Sequence, residues 1–326
     1  MTTLITGAGL IGCQTAALLA ACGERPVLLD LRPSAEAIRS VLPDGAAIVE
    51  AGDVRDRAAV LELFRKHQID AVVHTAAALS LAIRQTPSLA AEVNIGGTVN
   101  LLDAARDVGV RRFIFASSTT VFFPSFRRPV TAPVPEDFAF HSVSERPGNL
   151  YSASKLSAEF FVQHYADQFG LSAAALRYSA VLGMWAGPNN SVPGRLLAQL
   201  LGEGAQQGKV NVTDPLTLWS GGEDFIDARD VAAANVLALD AANLKSRVFT
   251  IASGRMSTFA DFLAAARAVR PELVIEHAAV PATGFAGFAW PRTTPFDVSL
   301  ARTELGFAAQ HDLVSSFRAA RPFVAA

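Results

Sequence analysis

The chain has 326 residues, 51% of them hydrophobic and 18% charged, with a formal net charge of −2. That balance gives no electrostatic case for nucleic acid or an anionic membrane, and no apolar run reaches the ~18 residues of a spanning helix. The length predicts one large domain or two closely joined ones with a sizeable core, and the mean hydropathy of +0.29 fits abundant alanine and buried strands. With no leader expected ahead of the first strand, the predicted setting is cytoplasmic. Cys13 and Cys22 both fall in the first helical region, where buried packing is the expected role. The histidines show no close ligand spacing, so no metal is predicted.

Thr3-Leu4-Ile5-Thr6 reads as a short strand, followed at once by Gly7-Ala8-Gly9-Leu10-Ile11-Gly12. An apolar, alanine-rich stretch then runs from Cys13 to Ala21, with Gly23 to end the helix. Strand, Gly-x-Gly-x-x-Gly and helix in that order predict dinucleotide binding. The glycines allow a tight turn and a close backbone approach to a pyrophosphate at the positive end of the helix. A second strand, Pro26-Val27-Leu28-Leu29, ends in Asp30, at about the ~20-residue distance of a ribose-binding carboxylate. Such a carboxylate repels a 2′-phosphate, so the predicted cofactor is NAD rather than NADP, although Arg32 lies close by.

Alternation continues with Ala46-Ala47-Ile48-Val49, then Gly52-Asp53-Val54 and a helix around Ala58 to Lys66. Ala71-Val72-Val73-His74 opens into Thr75-Ala76-Ala77-Ala78, and a long helical stretch from about Ser88 to Val108 precedes the strand Arg112-Phe113-Ile114-Phe115-Ala116. A helix carrying Lys155 runs to about Phe169, and Ala173-Ala174-Ala175-Leu176-Arg177 is the next strand. Apolar, non-alternating strands between helices predict an α/β fold, a doubly wound parallel sheet of Rossmann type covered on both faces. Residues 1–183 form the expected NAD-binding domain, which also receives later strands at about 225–252. Beyond 183 the regularity fades; Gly, Pro and Asn cluster between Gly187 and Gly194, and Gly and Pro again from Pro281 to Pro295, which suits a smaller substrate-capping region over 184–326.

Tyr151-Ser152-Ala153-Ser154-Lys155 places a phenol and an ammonium one helical turn apart, on one face. A phenol with an ordinary pKa of about 10 is a poor base at neutral pH. A fixed positive charge beside it favours the phenolate and makes it a usable proton acceptor.

Taken together, these residues resemble the extended short-chain dehydrogenase/reductase superfamily, in particular its NAD-dependent epimerase/dehydratase family. The likeness rests on Gly52-Asp53, His74-Thr75-Ala76-Ala77, Asn94-Ile95-Gly96-Gly97-Thr98, Ser117-Ser118-Thr119-Thr120-Val121, Tyr151 with Lys155, Arg177-Tyr178, Asp224-Phe225-Ile226 and Leu305-Gly306-Phe307. The resemblance implies Ser118 as partner of the substrate hydroxyl, Tyr151 as acid/base and Lys155 as the cation that binds ribose and favours the phenolate. It implies a cofactor site of Gly7, Gly9, Leu10, Ile11, Gly12 and Asp30, with Asp53 and Val54 flanking the adenine. Ala76, Ala77, Tyr151, Lys155, Tyr178 and Val181 complete that expected site.

Departures narrow the expectation. The family spaces its glycines Gly-x-x-Gly-x-x-Gly, one residue longer than here. Nucleotide-sugar members carry Asn where Ala180 stands, and Arg, which meets the substrate diphosphate, where Glu223 stands. Thr119-Thr120 follow Ser118 in place of the Asp-Glu of dehydratases, which argues against elimination chemistry. The leading expectation is therefore NAD-dependent hydride transfer at a secondary alcohol or ketone of a small polyhydroxylated or carboxylated substrate. The alternative is an epimerase of a sugar or nucleotide sugar, and a third reading is a non-catalytic NAD-responsive regulator. Arg127, Arg128, Arg195 and Arg292 are candidates to touch substrate, against the ordinary reading of exposed loop charge for the first two. Trp185, Trp219 and Trp290 are expected to pack in the capping region. The resemblance also implies a homodimer through the helices of 88–108 and Lys155, with Phe160 and Phe161 as outward contacts.

Overall fold

Short, largely apolar runs, too short for helices, make the strands of the main sheet, and each divides its side chains between two faces. In the computed structural model, described over residues 2–127, 130–138, 146–202 and 207–323, β1 (Thr3–Thr6), β2 (Val27–Asp30), β3 (Ile48–Ala51), β4 (Ala71–His74), β5 (Arg112–Ser118) and β6 (Ala173–Tyr178) lie in one parallel sheet. β7 (Ala180–Leu182), β8 (Lys209–Val212) and β9 (Phe225–Asp227) lie outside it, and β10 (Val248–Ile251) returns to pair with β6. The sheet order is β10-β6-β5-β4-β1-β2-β3.

Ile5, Leu28, Val73, Ile114, Leu176 and Phe249 face one core, under the helices Leu10–Ala21, Ala228–Asp240 and Ser299–Leu305. Their neighbours Leu4, Val27, Leu29, Val72, Phe113 and Ala175 face the other, under Arg57–Lys66, Thr98–Val108 and Leu150–Phe169. Burial on both faces is what the continuous apolar strands require. The chain reverses direction across the sheet between β1 and β4, and the loops after those two strands open into the crevice where such sheets bind ligands.

A separate apolar core takes residues from Leu182 to Ala320, with the helices Val192–Leu201, Phe259–Val269 and Leu313–Ala320 around Trp219. β8 pairs there with β11 (Val274–His277), while β7 pairs with β9. A fourth cluster, Val121, Phe122, Phe123, Phe126, Val134, Leu156 and Phe296, joins the segment after Ser118 to the C-terminal residues.

Several boundaries differ from expectation. The first helix begins at Leu10, directly on the glycine loop, and β5 runs on to Ser118. The long helix expected from Ser88 to Val108 is continuous but changes its winding, from a π-helix over Ala90–Gly97 to an α-helix over Thr98–Val108. A π-turn admits an extra residue and turns Asn94 inward, a change that apolar spacing does not announce. No helix among the described residues is long and apolar enough to cross a membrane.

Candidate active site

Ser118 is the last residue of β5, and Tyr151 lies in the first turn of the helix Leu150–Phe169. Asn149 caps that helix, its side-chain oxygen accepting from the Ser152 amide at 2.8 Å. The fold brings the Ser118 hydroxyl close enough to the Tyr151 phenol to favour its charged form. One turn on, Lys155 is buried, donates to the Ala116 carbonyl at 2.8 Å and lies 6.0 Å from the centre of the Tyr151 ring. The three residues expected to carry chemistry thus meet at one point.

Their protonation differs from the sequence-based expectation. Burial pushes the Tyr151 phenol up to about 12, opposed by the Ser118 hydrogen bond. Burial also pulls Lys155 down to about 7, opposed by the Glu159 carboxylate. Desolvation penalises both charged forms, so in the protein chain itself it outweighs the mutual support that helical spacing suggests. A phenolate here calls for further positive charge in the cleft.

Sequence spacing did not single out the buried frame beneath these groups. Glu159 is fully buried, pairs with Arg177 at 2.7 Å and accepts a short hydrogen bond from Ser117. Arg177 stacks on Phe122 and donates to the Glu136 carbonyl at 2.8 Å. The Asn94 amide meets Ala78 through both its oxygen and its nitrogen, at 2.8 and 3.0 Å, and donates to Ser154 Oγ at 2.9 Å. His74 bridges Thr6 and Thr98 at 2.6 and 3.0 Å, and burial together with the Lys155 charge holds it neutral, with its pKa down to about 3. Asn94 and Glu159 stand in the sequence four residues before Thr98 and four after Lys155, and that helical spacing was the available signal.

The dinucleotide residues form a second group. Gly7 has φ +86°, and a Cβ there would lie 2.8 Å from the Ala76 amide nitrogen, so the loops after β1 and β4 touch. A Cβ at Gly12 would lie 2.0 Å from the Gly7 carbonyl oxygen, which enforces glycine for close packing of the loop on its helix. At Gly9 a Cβ would meet nothing within 4 Å, and as N-cap it offers no side chain to the helix amides of Leu10–Ala21. An open glycine at an uncapped helix start suits a phosphate. Asp30 ends β2 and accepts from the Ala8 amide at 2.9 Å and the Arg32 amide at 2.8 Å, fixing its carboxylate beside the same loop. These residues fit NAD.

Asp53 hydrogen bonds Arg55, whose guanidinium holds the carboxyl below the usual range and also meets Glu92 at 3.2 Å. Val54 is buried, and a Cβ on Gly97 would lie 2.6 Å from its Cγ2. The Tyr178 side chain lies in the apolar core, and its hydroxyl donates to Asn235 Oδ1 at 2.6 Å. Alternation along β6 turns it there, leaving main-chain groups for any cofactor contact. Val181 is half-buried in β7, opposite Ile226.

On the capping side, Glu223 and Arg292 are both buried and form a short ion pair. The Arg292 guanidinium lies 3.7 Å from the Phe296 ring centre and 5.4 Å from that of Phe126, and donates to the Thr294 carbonyl. Burial pushes the Glu223 carboxyl up, against the pull of Arg292. Arg195 lies 3.4 Å from Asp214. Arg127 closes the 3₁₀ segment Thr119–Arg127, and Arg128 lies outside the described residues. Trp185 and Trp219 are buried, whereas Trp290 is exposed. Cys13 is buried, Cys22 is exposed, and neither is in a disulfide. Among the described residues no group of three or more His, Cys, Asp or Glu is arranged to hold a metal ion.

A doubly wound parallel sheet, with a glycine loop after its first strand and a carboxylate at the end of its second, defines a Rossmann-type dinucleotide-binding protein. The sequence profile of the NAD-dependent epimerase/dehydratase family matches residues 3–252, and the chain belongs to that family, within the extended short-chain dehydrogenase/reductase superfamily. NAD is its cofactor. A UDP-glucose 4-epimerase of Corynebacterium glutamicum is 32% identical over 263 residues, covering 78% of this chain and 76% of that protein. A crystal structure of a UDP-glucose 4-epimerase from Stenotrophomonas maltophila, with bound NAD and formylated UDP-arabinopyranose, superposes with a TM-score of 0.80 at 28% identity, over 99% of this chain and 97% of that one. A UDP-glucose 4-epimerase of Thermus thermophilus in complex with NAD gives 0.78 at 25% identity, covering 99% of both chains. These relatives are named as epimerases, which favours the epimerase alternative over the leading dehydrogenase expectation.

Proposed function

We propose that the protein is an NAD-dependent epimerase, inverting a hydroxyl-bearing carbon of a sugar substrate through a transient ketone. The observation that carries this is Ser118 gathered beside Tyr151, with Lys155 one helical turn on, in a chain whose relatives are named epimerases. Tyr151 takes the hydroxyl proton and later returns it, while Ser118 donates to the same oxygen as charge develops. Lys155, anchored on the Ala116 carbonyl, holds positive charge beneath the phenol. NAD, when bound, supplies the hydride acceptor and donor and the added positive charge that the phenolate needs.

A second reading, a dehydrogenase of a small polyhydroxylated or carboxylated molecule, is favoured by one feature. Glu223 holds Arg292 in a buried ion pair, which engages that guanidinium and withholds it from a substrate diphosphate. Incubation of the NAD-loaded protein with UDP-glucose separates the readings. Conversion to its C4 epimer with no net NADH is expected. Silence there and in calorimetric titration with UDP, together with NADH formation from free sugars, sugar acids or hydroxy acids, would overturn the first reading in favour of the second.

A further inference from the structure

Beside Ser118 stands a hydroxyl with no part in the chemistry described so far. Thr120 sits in the 3₁₀ segment that leaves β5, with its Oγ1 3.1 Å from Ser118 Oγ and its amide nitrogen 3.3 Å from the same atom. The amide contact alone is an ordinary local turn of a Ser side chain onto the chain two residues on. The hydroxyl contact is additional, and its direction follows from proton accounting.

A serine hydroxyl has one proton and two acceptor sites. The Thr120 amide occupies one site, since an N–H only donates. Ser118 beside Tyr151 favours the phenolate, and it does so by turning its proton to the phenolic oxygen in that state. One acceptor site then remains, and the Thr120 hydroxyl fills it only by donating. When the substrate oxygen lies between Ser118 and Tyr151, the Ser118 proton turns to that oxygen and the same accounting holds. A donor behind a donor also polarises it, since linked hydroxyls strengthen one another.

We propose that Thr120 is a positioning residue that pins the Ser118 hydroxyl as a donor toward Tyr151 and the reacting oxygen. The inference rests on the preceding reading only for the presence of that oxygen. Its test therefore needs no substrate. The chain has three tyrosines, so labelling with carbon-13 at the tyrosine ζ position gives three resonances, and Tyr151→Phe assigns one of them. The ionisation midpoint of Tyr151 is followed in the NAD-loaded protein, in Thr120→Val, which keeps shape and amide but lacks the hydroxyl, and in Thr120→Ser, which restores it.

Thr120→Val is expected to raise the midpoint by about half a pH unit, and Thr120→Ser to return it to the parent value. If UDP-glucose is turned over, the valine variant should also lose about fivefold in kcat, as one hydrogen bond is worth, with KM unchanged and serine restoring the rate. A valine midpoint coincident with the parent overturns the proposal. So does a serine variant displaced as far as valine, which marks a packing effect. Absence of UDP-glucose turnover with the midpoint displaced in valine alone leaves the proposal standing and overturns only the substrate assignment.

Discussion

Replacing Lys155 by methionine should abolish turnover and make the cofactor-free protein more stable. Lys155 is 2% exposed, and burial takes its pKa from the ordinary 10.5 to about 7. At about 1.4 kcal/mol per pKa unit, that depression costs the folded state roughly 4 kcal/mol at pH 7. The sign follows from proton binding: between pH 7 and 10.5 the unfolded chain holds the proton more tightly than the folded one, so the penalty is present near neutrality and fades as pH rises toward 10.5. Methionine removes the penalty and fills the space. It leaves the Ala116 carbonyl without its donor, about 1–3 kcal/mol, and loses the contact 4.8 Å from the Phe115 ring centre. Glu159 is not orphaned, since Arg177 and Ser117 still hold it. A net gain of about 1–2 kcal/mol remains, or roughly 2–3 °C in Tm for a chain of this size. Thermal unfolding of both proteins without NAD, at pH 7 and pH 9.5, measures it. The gain should vanish or reverse at pH 9.5, where most of the penalty has gone. A variant less stable than the parent at pH 7, or a difference independent of pH, would refute the reasoning.

Other outcomes follow from the same geometry. Tyr151→Phe should lower turnover by roughly 10²–10⁴ with NAD affinity retained in calorimetry; activity within a factor of about two of the parent would remove Tyr151 from acid/base work. Asp30→Ser should narrow the preference for NAD over NADP, because the carboxylate now fixed by the Ala8 and Arg32 amides no longer repels a 2′-phosphate; equal dissociation constants in the parent would count against this role. Phe160 and Phe161 are 53% and 42% exposed on the helix Leu150–Phe169. We propose that they meet a second copy, so light scattering should give twice 34.4 kDa, and Phe160→Glu with Phe161→Glu should give the monomer; a monomeric parent at micromolar concentration would refute the dimer.

Local chemistry determined much of this protein. Short apolar runs between helical stretches can only be buried as a parallel sheet covered on both faces, so strands β1 to β6 were legible within a few residues. Gly7, Gly12 and Asp30 were legible for the same reason: positive φ, close approach and a charge at a strand end are properties of single positions. Spacing likewise put Tyr151 and Lys155 on one face. What spacing does not carry is the dielectric around a side chain, which depends on everything that packs over it. Only the tertiary structure decided that burial drives Tyr151 up and Lys155 down, that Glu159 answers Arg177 across the chain, and that Glu223 is matched by Arg292, 69 residues away. The π-turn that directs Asn94 onto Ala78 and Ser154 was decided there too, because a helix gains an extra residue per turn only when its partners across the fold reward the distortion.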